Sequence, residues 1–354
     1  MSVLSVGYLI NLYEAIFIHK FQNLVVDYDS FFLAITKVSD PAYAISILFP
    51  VAASVNTSLG ADILVTTIVA EWINTLLKWV LREDRPYWWV HEYQVPGSPD
   101  LLQTPLTCET GPGSPSGHVM GFAALLFAVL HWISHTFINT NTNLKKNQKK
   151  TRIYIIWAVV LVMLLFVSLS RIYIGAHFPH QCILGAIFGL AIGYWLTDTG
   201  KWCIREWWRS SGRFKLLCVS SSVMLISIAS YLIQIYFGID PQWSVKLAFK
   251  WCQNPEFVHV STTPLFSLVR VSGALFGLAC ASPIKKRTVL KFYPVVGVTL
   301  VVILVISLQM FKELIPTHDV VAFYFCQFSL YVALSFLLLF VVPNIAHLVK
   351  MKEA

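Results

Sequence analysis

Three short polar blocks interrupt a chain that is otherwise mostly apolar. They read KWVLREDRP (78–86), CETGPGSPSGH (108–118) and SRIYIGAHFPHQ (170–181). Together they hold cations, a hydroxyl beside a glycine, and histidines, which are groups that bind and transfer a phosphoryl group. The candidate site residues are Lys78, Arg85, Ser116, Gly117, His118, Arg171 and His177.

Each of these residue types has a place in that chemistry. Arginine presents a planar fork that matches phosphate oxygens. Gly117 lets a backbone N–H approach an anion at the predicted start of a helix, where the macrodipole favours negative charge. One histidine can attack phosphorus while the other protonates the leaving alkoxide. Three fixed cations can do what magnesium does elsewhere, and the seven cysteines show no metal-ligand spacing. We therefore expect no metal and no cofactor.

Taken alone, each block has a simpler interpretation. Lys78 by itself would be a lysine that snorkels from the end of a span, and the Gly/Pro/Ser run by itself would be a turn. A single histidine at a membrane face is more often an interfacial residue. The order, spacing and sidedness of the three blocks together favour a site.

The composition indicates an all-α polytopic membrane protein. Of the 354 residues, 56% are hydrophobic and 12% are charged, against about 25% charged in soluble domains. The basic residues behind the net charge of +8 lie in short loops, so they indicate membrane orientation and not nucleic-acid binding. Nine apolar runs are long enough to span the bilayer: about 30–52, 61–81, 117–138, 153–170, 179–197, 216–237, 265–282, 290–310 and 321–343.

The loop charges predict the orientation in the membrane. Sixteen Lys and Arg residues fall on one side and seven on the other, which places the richer side in the cytosol. With nine spans, the N-terminus and all three polar blocks then face a lumen, and the C-terminus faces the cytosol.

Three further signals bear on targeting. Asn56-Thr57-Ser58 is a glycosylation sequon, but it falls in a predicted cytosolic turn, where no glycan is added. The last residues, KMKEA, resemble a dilysine signal for retrieval to the endoplasmic reticulum, and two ordinary cytosolic charges are the alternative. The N-terminus has no basic region before its apolar stretch, so we expect no removable signal peptide.

The pattern K-x6-R-P, P-S-G-H and S-R-x5-H resembles the signature of the type-2 phosphatidic acid phosphatase superfamily. The resemblance implies a helical core of that type over residues 60–197, within a single membrane domain (1–354) that adds four further helices in 198–354. It also implies that His177 is the nucleophile, forming a phosphohistidine, and that His118 is the general acid. The implied phosphate ligands are Lys78, Arg85, Ser116, Gly117 and Arg171.

The third block departs from that superfamily at one position. Four residues after the nucleophile the superfamily usually has an aspartate that orients the imidazole, and this chain has Gln181. A histidine nucleophile needs a partner on its other ring nitrogen. Asp40, an ionisable residue in or beside the first span, is our candidate for that orienting acid, and a helix break at Asp40-Pro41 is the alternative. Glu71 lies two turns before Lys78 on the same helix face and is a second polar candidate.

One subfamily shares this departure. CETGPGSPSGH, RPYWWV, SRIYIGAHFPHQ, KWCQNPEFVHV and TTPLFSL resemble the glucose-6-phosphatase catalytic subunit family over nearly the whole chain. The resemblance implies hydrolysis of glucose 6-phosphate in the lumen of the endoplasmic reticulum, ending gluconeogenesis and glycogenolysis. It also implies a glucose-6-phosphate transporter as partner. Which paralogue this is, and whether Cys108 pairs with Cys252, stay open.

The residues that would select the sugar are less readable. Tyr87, Trp88 and Trp89 could form an aromatic wall beside the phosphate, although interfacial aromatic residues are the commoner explanation. Polar residues of the loop 238–264, namely Lys250, Glu256 and His259, are candidates for contacts with hydroxyl groups. The rival functions are a lipid-phosphate phosphatase, a weakly active paralogue and an anion transporter.

Overall fold

Fourteen α-helices follow one another along the part of the chain that the computed structural model describes, namely residues 3–139, 142, 144–197, 204–284, 294–316 and 319–345. The basic run near 285–291 and the dilysine-like tail lie outside the described residues. The helices are α1 (Val3–Leu24), α2 (Asp29–Val38), α3 (Pro41–Val55), α4 (Thr57–Leu81), α5 (Pro86–Glu92), α6 (Gly117–Ile133), α7 (Lys146–Tyr173), α8 (Pro179–Thr197), α9 (Ile204–Ser210), α10 (Arg213–Tyr236), α11 (Trp243–Trp251), α12 (Pro264–Ala281), α13 (Pro294–Glu313) and α14 (Val320–Phe336).

The all-helical, multi-pass architecture is confirmed. Among the described residues, seven helical segments are long and apolar enough to cross a membrane, or eight if the bent pair α2–α3 forms one span. The predicted count of nine is not confirmed. The eighth predicted span, 290–310, coincides with the 20-residue helix α13, which is not one of the seven.

The first predicted span is broken at Asp40-Pro41. The segments Val26–Val38 and Pro41–Val55 meet at an angle of 47°, and the Asp40 carboxylate accepts a hydrogen bond from the backbone N–H of Ala42 at 2.7 Å. Proline lacks an N–H and favours the first helical position, so Asp-Pro here starts α3. The sequon residue Asn56 caps α4 in the same way, accepting from Ser58 N at 2.8 Å.

Close helix packing joins the second and third polar blocks. α8 presents Gly185, Gly189 and Gly193 toward α6, one residue every helical turn. A Cβ added at Gly189 would lie 2.3 Å from the carbonyl oxygen of Met120, so only glycine permits this approach. The two helices that begin just after His177 and at Gly117 are thereby held against each other.

The loop between α10 and α12 lies against the second polar block. Cys252 forms a disulfide with Cys108, with their Cα atoms 5.9 Å apart, so the pairing that the sequence left open is present. His259 N donates to the Cys108 carbonyl at 3.0 Å, and Thr110 N donates to the Thr262 hydroxyl at 2.9 Å. Residues distant in sequence therefore reach the edge of the polar cluster.

Candidate active site

The three polar blocks converge on one buried cluster. Lys78 lies in the last turn of α4, Arg85 immediately precedes α5, and Arg171 lies in the last turn of α7. His177 lies in the turn before α8. The second block runs as an extended segment into α6, which begins at Gly117 and carries His118. Ser116, Arg171 and His177 are fully buried, and Lys78, Arg85 and His118 are at most 8% exposed.

Glu109 lies at the centre of this cluster. Its Oε2 accepts from an Nη of Arg85 at 2.7 Å, and its Oε1 accepts from an Nη of Arg171 at 2.5 Å. The same carboxylate is 3.5 Å from Nδ1 of His118 and 3.7 Å from Nε2 of His177. Burial alone would raise the pKa of Glu109, but the charges of Arg171 and Arg85 outweigh it and hold the pKa well below its usual range. The carboxylate is therefore ionised.

Backbone carbonyls of the second block fix two of the cations. Arg85 Nε donates to the Gly111 carbonyl at 2.6 Å, and Lys78 Nζ donates to the Pro112 carbonyl at 2.5 Å. In contrast, the Ser116 hydroxyl and two guanidinium nitrogens of Arg171, Nε and Nη1, are buried with no hydrogen-bond partner among the described residues. Buried donors are rarely left unpaired, so these atoms are suited to an incoming oxyanion.

The tautomer of His177 follows from its neighbours. Nδ1 lies 2.8 Å from the Gly113 carbonyl oxygen, which can only accept, so Nδ1 carries the proton. Nε2 is then an acceptor, consistent with the Arg85 Nη 3.2 Å away. Burial, followed by the charge of Arg85, lowers the pKa of His177 well below its ordinary value. The ring is thus neutral, and its unprotonated Nε2 faces the cations.

Gln181 occupies the place of the superfamily's aspartate. Its Oε1 is 3.3 Å from Nδ1 of His177, and its Nε2 donates to the Asp84 carbonyl at 2.8 Å. Gly113 is required beside it, because a Cβ there would lie 2.3 Å from the same Asp84 oxygen. Nδ1 of His177 is therefore held by a backbone carbonyl, with the Gln181 amide oxygen next to it.

Asp40 and Glu71 each have a hydrogen-bond partner other than His177. Asp40 caps α3, and Glu71 accepts from Arg270 Nη2 at 2.6 Å. This geometry does not support the orienting role that the sequence favoured for Asp40. Both acids line the catalytic cavity, as we call a space of about 80 Å³ that reaches the cluster. Its lining includes Asp40, Glu71, Asn74, Thr75, Lys78, Arg85, Glu109, Gly117, His118, Ser261, Thr262, Ser267 and Arg270.

Comparisons with known proteins agree with this cluster. The model of the PAP2 superfamily matches residues 59–205, which contain all three polar blocks. The chain is 33% identical to glucose-6-phosphatase 2 of Homo sapiens over 349 residues, covering 94% of this chain and 95% of that protein. It is 31% identical to glucose-6-phosphatase 2 of Mus musculus, covering 94% of each. The chain belongs to the glucose-6-phosphatase family. Glucose-6-phosphatase 3 of Homo sapiens is 37% identical over 268 residues, covering 73% of this chain and 72% of that protein. No solved structure matches this chain.

Membership of this family makes the chain a phosphoric monoester hydrolase in a multi-pass membrane setting, as the sequence predicted. Glu109 was not among the site residues predicted from the sequence. One signal could have found it. Three cations in a buried site need a counter-ion, and Glu109 is the only acidic residue in the second block.

In this member of the glucose-6-phosphatase family, the aromatic residues at positions 87–89 form neither a wall beside the phosphate nor an interfacial group. Tyr87, Trp88 and Trp89 are at most 1% exposed, so they are not interfacial. They do not line the catalytic cavity either. The Tyr87 hydroxyl donates to the Glu109 carbonyl at 3.0 Å, and the Trp88 indole donates to Asp84 at 2.8 Å. They pack behind the cluster and support its backbone.

The three residues of the loop 238–264 that were predicted to contact the sugar do not line the catalytic cavity. Lys250 donates to Glu92 at 2.8 Å, and Nε2 of His259 lies 2.7 Å from the Pro105 carbonyl. Glu256 does not line the catalytic cavity. Ser261 and Thr262 of the same loop do line it. The loop therefore reaches the cavity through residues that the sequence did not single out.

The buried acid and imidazole predict how stability depends on pH. His177 stays neutral in the folded state, whereas the unfolded chain binds a proton below about pH 6.5. Glu109 stays ionised in the folded state at a pH below 4.5, where the unfolded chain would protonate it. In both ranges the unfolded state binds more protons, so stability should fall as pH falls, by up to about 1.4 kcal/mol per pH unit for each group.

His177→Asn should therefore flatten the acid limb between about pH 6.5 and 4.5, because asparagine does not titrate there. Thermal unfolding of the detergent-purified protein across this range measures it. His91→Asn, on α5 and outside the cavity, is the matched control for a histidine-to-asparagine change away from the cluster. Identical limbs in His177→Asn and wild type would contradict the neutral state of His177.

Proposed function

We propose that this chain hydrolyses glucose 6-phosphate to glucose and inorganic phosphate at the lumenal face of the endoplasmic reticulum, as the last step of gluconeogenesis and glycogenolysis. The observation that carries the proposal is the cluster itself. Arg85 and Arg171 act on a neutral His177 whose Nδ1 proton is held by the Gly113 carbonyl, and Lys78 belongs to the same cluster. The sugar phosphate is the substrate named for the relatives of this chain.

In the first step, Nε2 of His177 attacks phosphorus. A bond forms between that nitrogen and phosphorus, and the bond between phosphorus and the C6 oxygen of the sugar breaks. His118 donates a proton to the departing oxygen, so glucose leaves as a neutral alcohol. The Gly113 carbonyl and Gln181 keep Nε2 directed at the substrate, because both lie on the Nδ1 side of the ring.

In the second step, water resolves the phosphohistidine. His118, now deprotonated, takes a proton from water, and the oxygen attacks phosphorus as the nitrogen–phosphorus bond breaks. Fixed cations stabilise the charge on the transferring group in both steps, since phosphoryl transfer depends mainly on positioning and electrostatics. Nε and Nη1 of Arg171 and the Ser116 hydroxyl, which have no hydrogen-bond partner in the described part of the chain, are donors for the phosphate oxygens. The backbone N–H of Gly117 is a further donor at the start of α6.

The disulfide supports a lumenal site. Cys108 is adjacent to Glu109, and its bond to Cys252 would persist in an oxidising compartment but not in the reducing cytosol. The disulfide bears on the site alone; the distribution of loop charges is what supports an N-terminus in the lumen and a C-terminus in the cytosol. A site on that side needs substrate delivered across the membrane, so a glucose-6-phosphate transporter is the expected partner.

A second candidate function is a lipid-phosphate phosphatase. A lipid substrate would require a lateral apolar opening, and a cavity of about 730 Å³ shares Asp40, Pro41 and Gly121 with the catalytic cavity. Most of the remaining lining is apolar and comes from α3 and α6. Gln181, in place of the superfamily's aspartate, favours the sugar phosphate.

Phosphate release by membranes containing the full chain separates the two functions. Glucose 6-phosphate should be hydrolysed in detergent-opened vesicles with a much higher kcat/KM than phosphatidic acid in mixed micelles. In sealed microsomes lacking the transporter the rate should be low, and opening the membrane should restore it. A preference for phosphatidic acid would overturn the proposal in favour of the lipid substrate, and equal rates in sealed and opened vesicles would overturn the lumenal orientation.

A further inference from the structure

The catalytic cavity extends well beyond the phosphate-binding cluster. Glu71 precedes Lys78 by two turns of α4, which corresponds to roughly 10 Å along the helix axis. Both residues line the same cavity, as does Arg270 of α12. The distance between the two ends is comparable with the length of a hexose 6-phosphate, so a bound sugar phosphate whose phosphate is near Lys78 would extend toward Glu71.

This distal end carries a buried ion pair with an unused acceptor. Arg270 donates to Glu71 Oε2 through Nη2 at 2.6 Å and through Nε at 3.2 Å. Each residue is at most 7% exposed. The other carboxylate oxygen, Glu71 Oε1, is buried with no hydrogen-bond partner among the described residues. A buried carboxylate oxygen without a donor is costly, and a ligand hydroxyl would satisfy it.

We propose that Glu71, held in place by Arg270, recognises a ring hydroxyl of the sugar and so determines the specificity of this site for polyol phosphate monoesters. The inference rests on the proposed function, because it assigns the sugar subsite of that same cavity. The hydroxyl donates to Glu71 Oε1, while both guanidinium contacts to Oε2 stay intact. Asn74 and Thr75, which lie between Glu71 and Lys78 on α4 and also line the cavity, border the path of the sugar.

A purely structural pair would behave differently. If the ion pair only holds α4 against α12, replacing it should lower the amount of folded enzyme. The rate with every substrate should then fall in the same proportion. If the pair forms a subsite for the sugar, replacing it should lower kcat/KM for glucose 6-phosphate. It should not change kcat/KM for p-nitrophenyl phosphate, which has no sugar hydroxyls. The ratio of the two kcat/KM values in one preparation is independent of the folded fraction, so it separates these cases.

The test uses Glu71→Gln and the double variant Glu71→Met with Arg270→Met in the full-length chain. The double variant leaves no unpaired buried charge, and such apolar replacements are commonly tolerated. Hydrogen bonds to charged groups are worth about 1.5–3 kcal/mol. The ratio of kcat/KM for glucose 6-phosphate to that for p-nitrophenyl phosphate should therefore fall about tenfold to hundredfold in the double variant, and less in Glu71→Gln.

The matched control is Asp62→Asn, at the opposite end of the same helix. Asp62 accepts from an Nη of Arg209 at 2.5 Å and lines a different cavity. This acid–arginine pair should leave the ratio unchanged. An unchanged ratio in both Glu71 variants would overturn the subsite while leaving the proposed function standing. Failure of the wild type to prefer glucose 6-phosphate over p-nitrophenyl phosphate would instead overturn the proposed function.

Deoxy analogues of glucose 6-phosphate identify the hydroxyl concerned. If Glu71 contacts one hydroxyl, the analogue lacking it should be a poor substrate for the wild type and should lose little more in the double variant. The other analogues should lose rate in the variant as glucose 6-phosphate does. Strictly additive losses for every analogue would mean that Glu71 touches none of these hydroxyls and would overturn the inference.

Discussion

Replacing His177 by alanine should abolish phosphate release from glucose 6-phosphate and prevent any phosphoenzyme from forming. The bare Nε2 of His177 faces the arginines of the cluster, and the Gly113 carbonyl fixes the tautomer that leaves it free to attack. His118, the other histidine at the cluster, is proposed to transfer the proton and not to attack phosphorus. Loss of a nucleophile from such a unit lowers kcat by a factor on the order of 10⁶.

Two measurements check this expectation on the same preparation. Phosphate release at saturating substrate gives kcat, and rapid mixing with radiolabelled substrate followed by an alkaline quench traps the acid-labile phosphohistidine. His91→Ala is the matched control, because His91 stacks on Trp251 outside the cavity, and it should retain both turnover and label. A labelled intermediate in the His177→Ala protein would show that another residue is the nucleophile.

The convergence of the three polar blocks on one site could be predicted from sequence, because each block carries its own recognisable motif. Within each block the spacing is local, and the distribution of loop charges predicted that all three lie on one side of the membrane. Lys78, Arg85, His118, Arg171 and His177 are together in the structure as that argument requires. The all-helical class followed equally directly from the apolar runs.

Contacts between distant parts of the chain could not be predicted in this way. Glu109 meets Arg85 and Arg171, which are 24 and 62 positions away, and no periodicity links an acid in an irregular segment to either partner. The disulfide between Cys108 and Cys252 spans 144 positions. Such pairings depend on how the helices pack, and sequence periodicity does not specify that packing.

Asp40 shows why the substitution at Gln181 was misleading. Without the superfamily's aspartate, another acid was expected to orient His177, and Asp40 lies in or beside the first predicted span. The structure supplies the acceptor from the backbone, through the Gly113 carbonyl, in a segment where a side chain at position 113 would collide with Asp84. A carbonyl oxygen leaves no residue-type signal, so the sequence could not indicate it.

The largest effect on stability should come from Glu109→Gln. This carboxylate is the counter-ion of two buried arginines, and breaking a buried ion pair by neutralising one partner costs about 3–5 kcal/mol. The same arginines are proposed to bind the phosphate of the substrate, so the Glu109 carboxylate neutralises part of the positive charge that would attract an incoming anion. The variant should therefore be unstable when free and depend strongly on a bound phosphate-like anion.

Thermal unfolding of purified Glu109→Gln with and without vanadate measures this dependence. An anion that binds only the folded state stabilises it in proportion to the logarithm of its concentration over its Kd. Removing a negative charge from the site strengthens anion binding, so vanadate should raise the melting temperature of the variant by more than it raises that of the wild type. Glu92→Gln is the control, because Glu92 pairs with Lys250 outside the cavity, and it should respond to vanadate as the wild type does. An equal vanadate response in Glu109→Gln and wild type would mean that the carboxylate does not share its arginines with the bound anion.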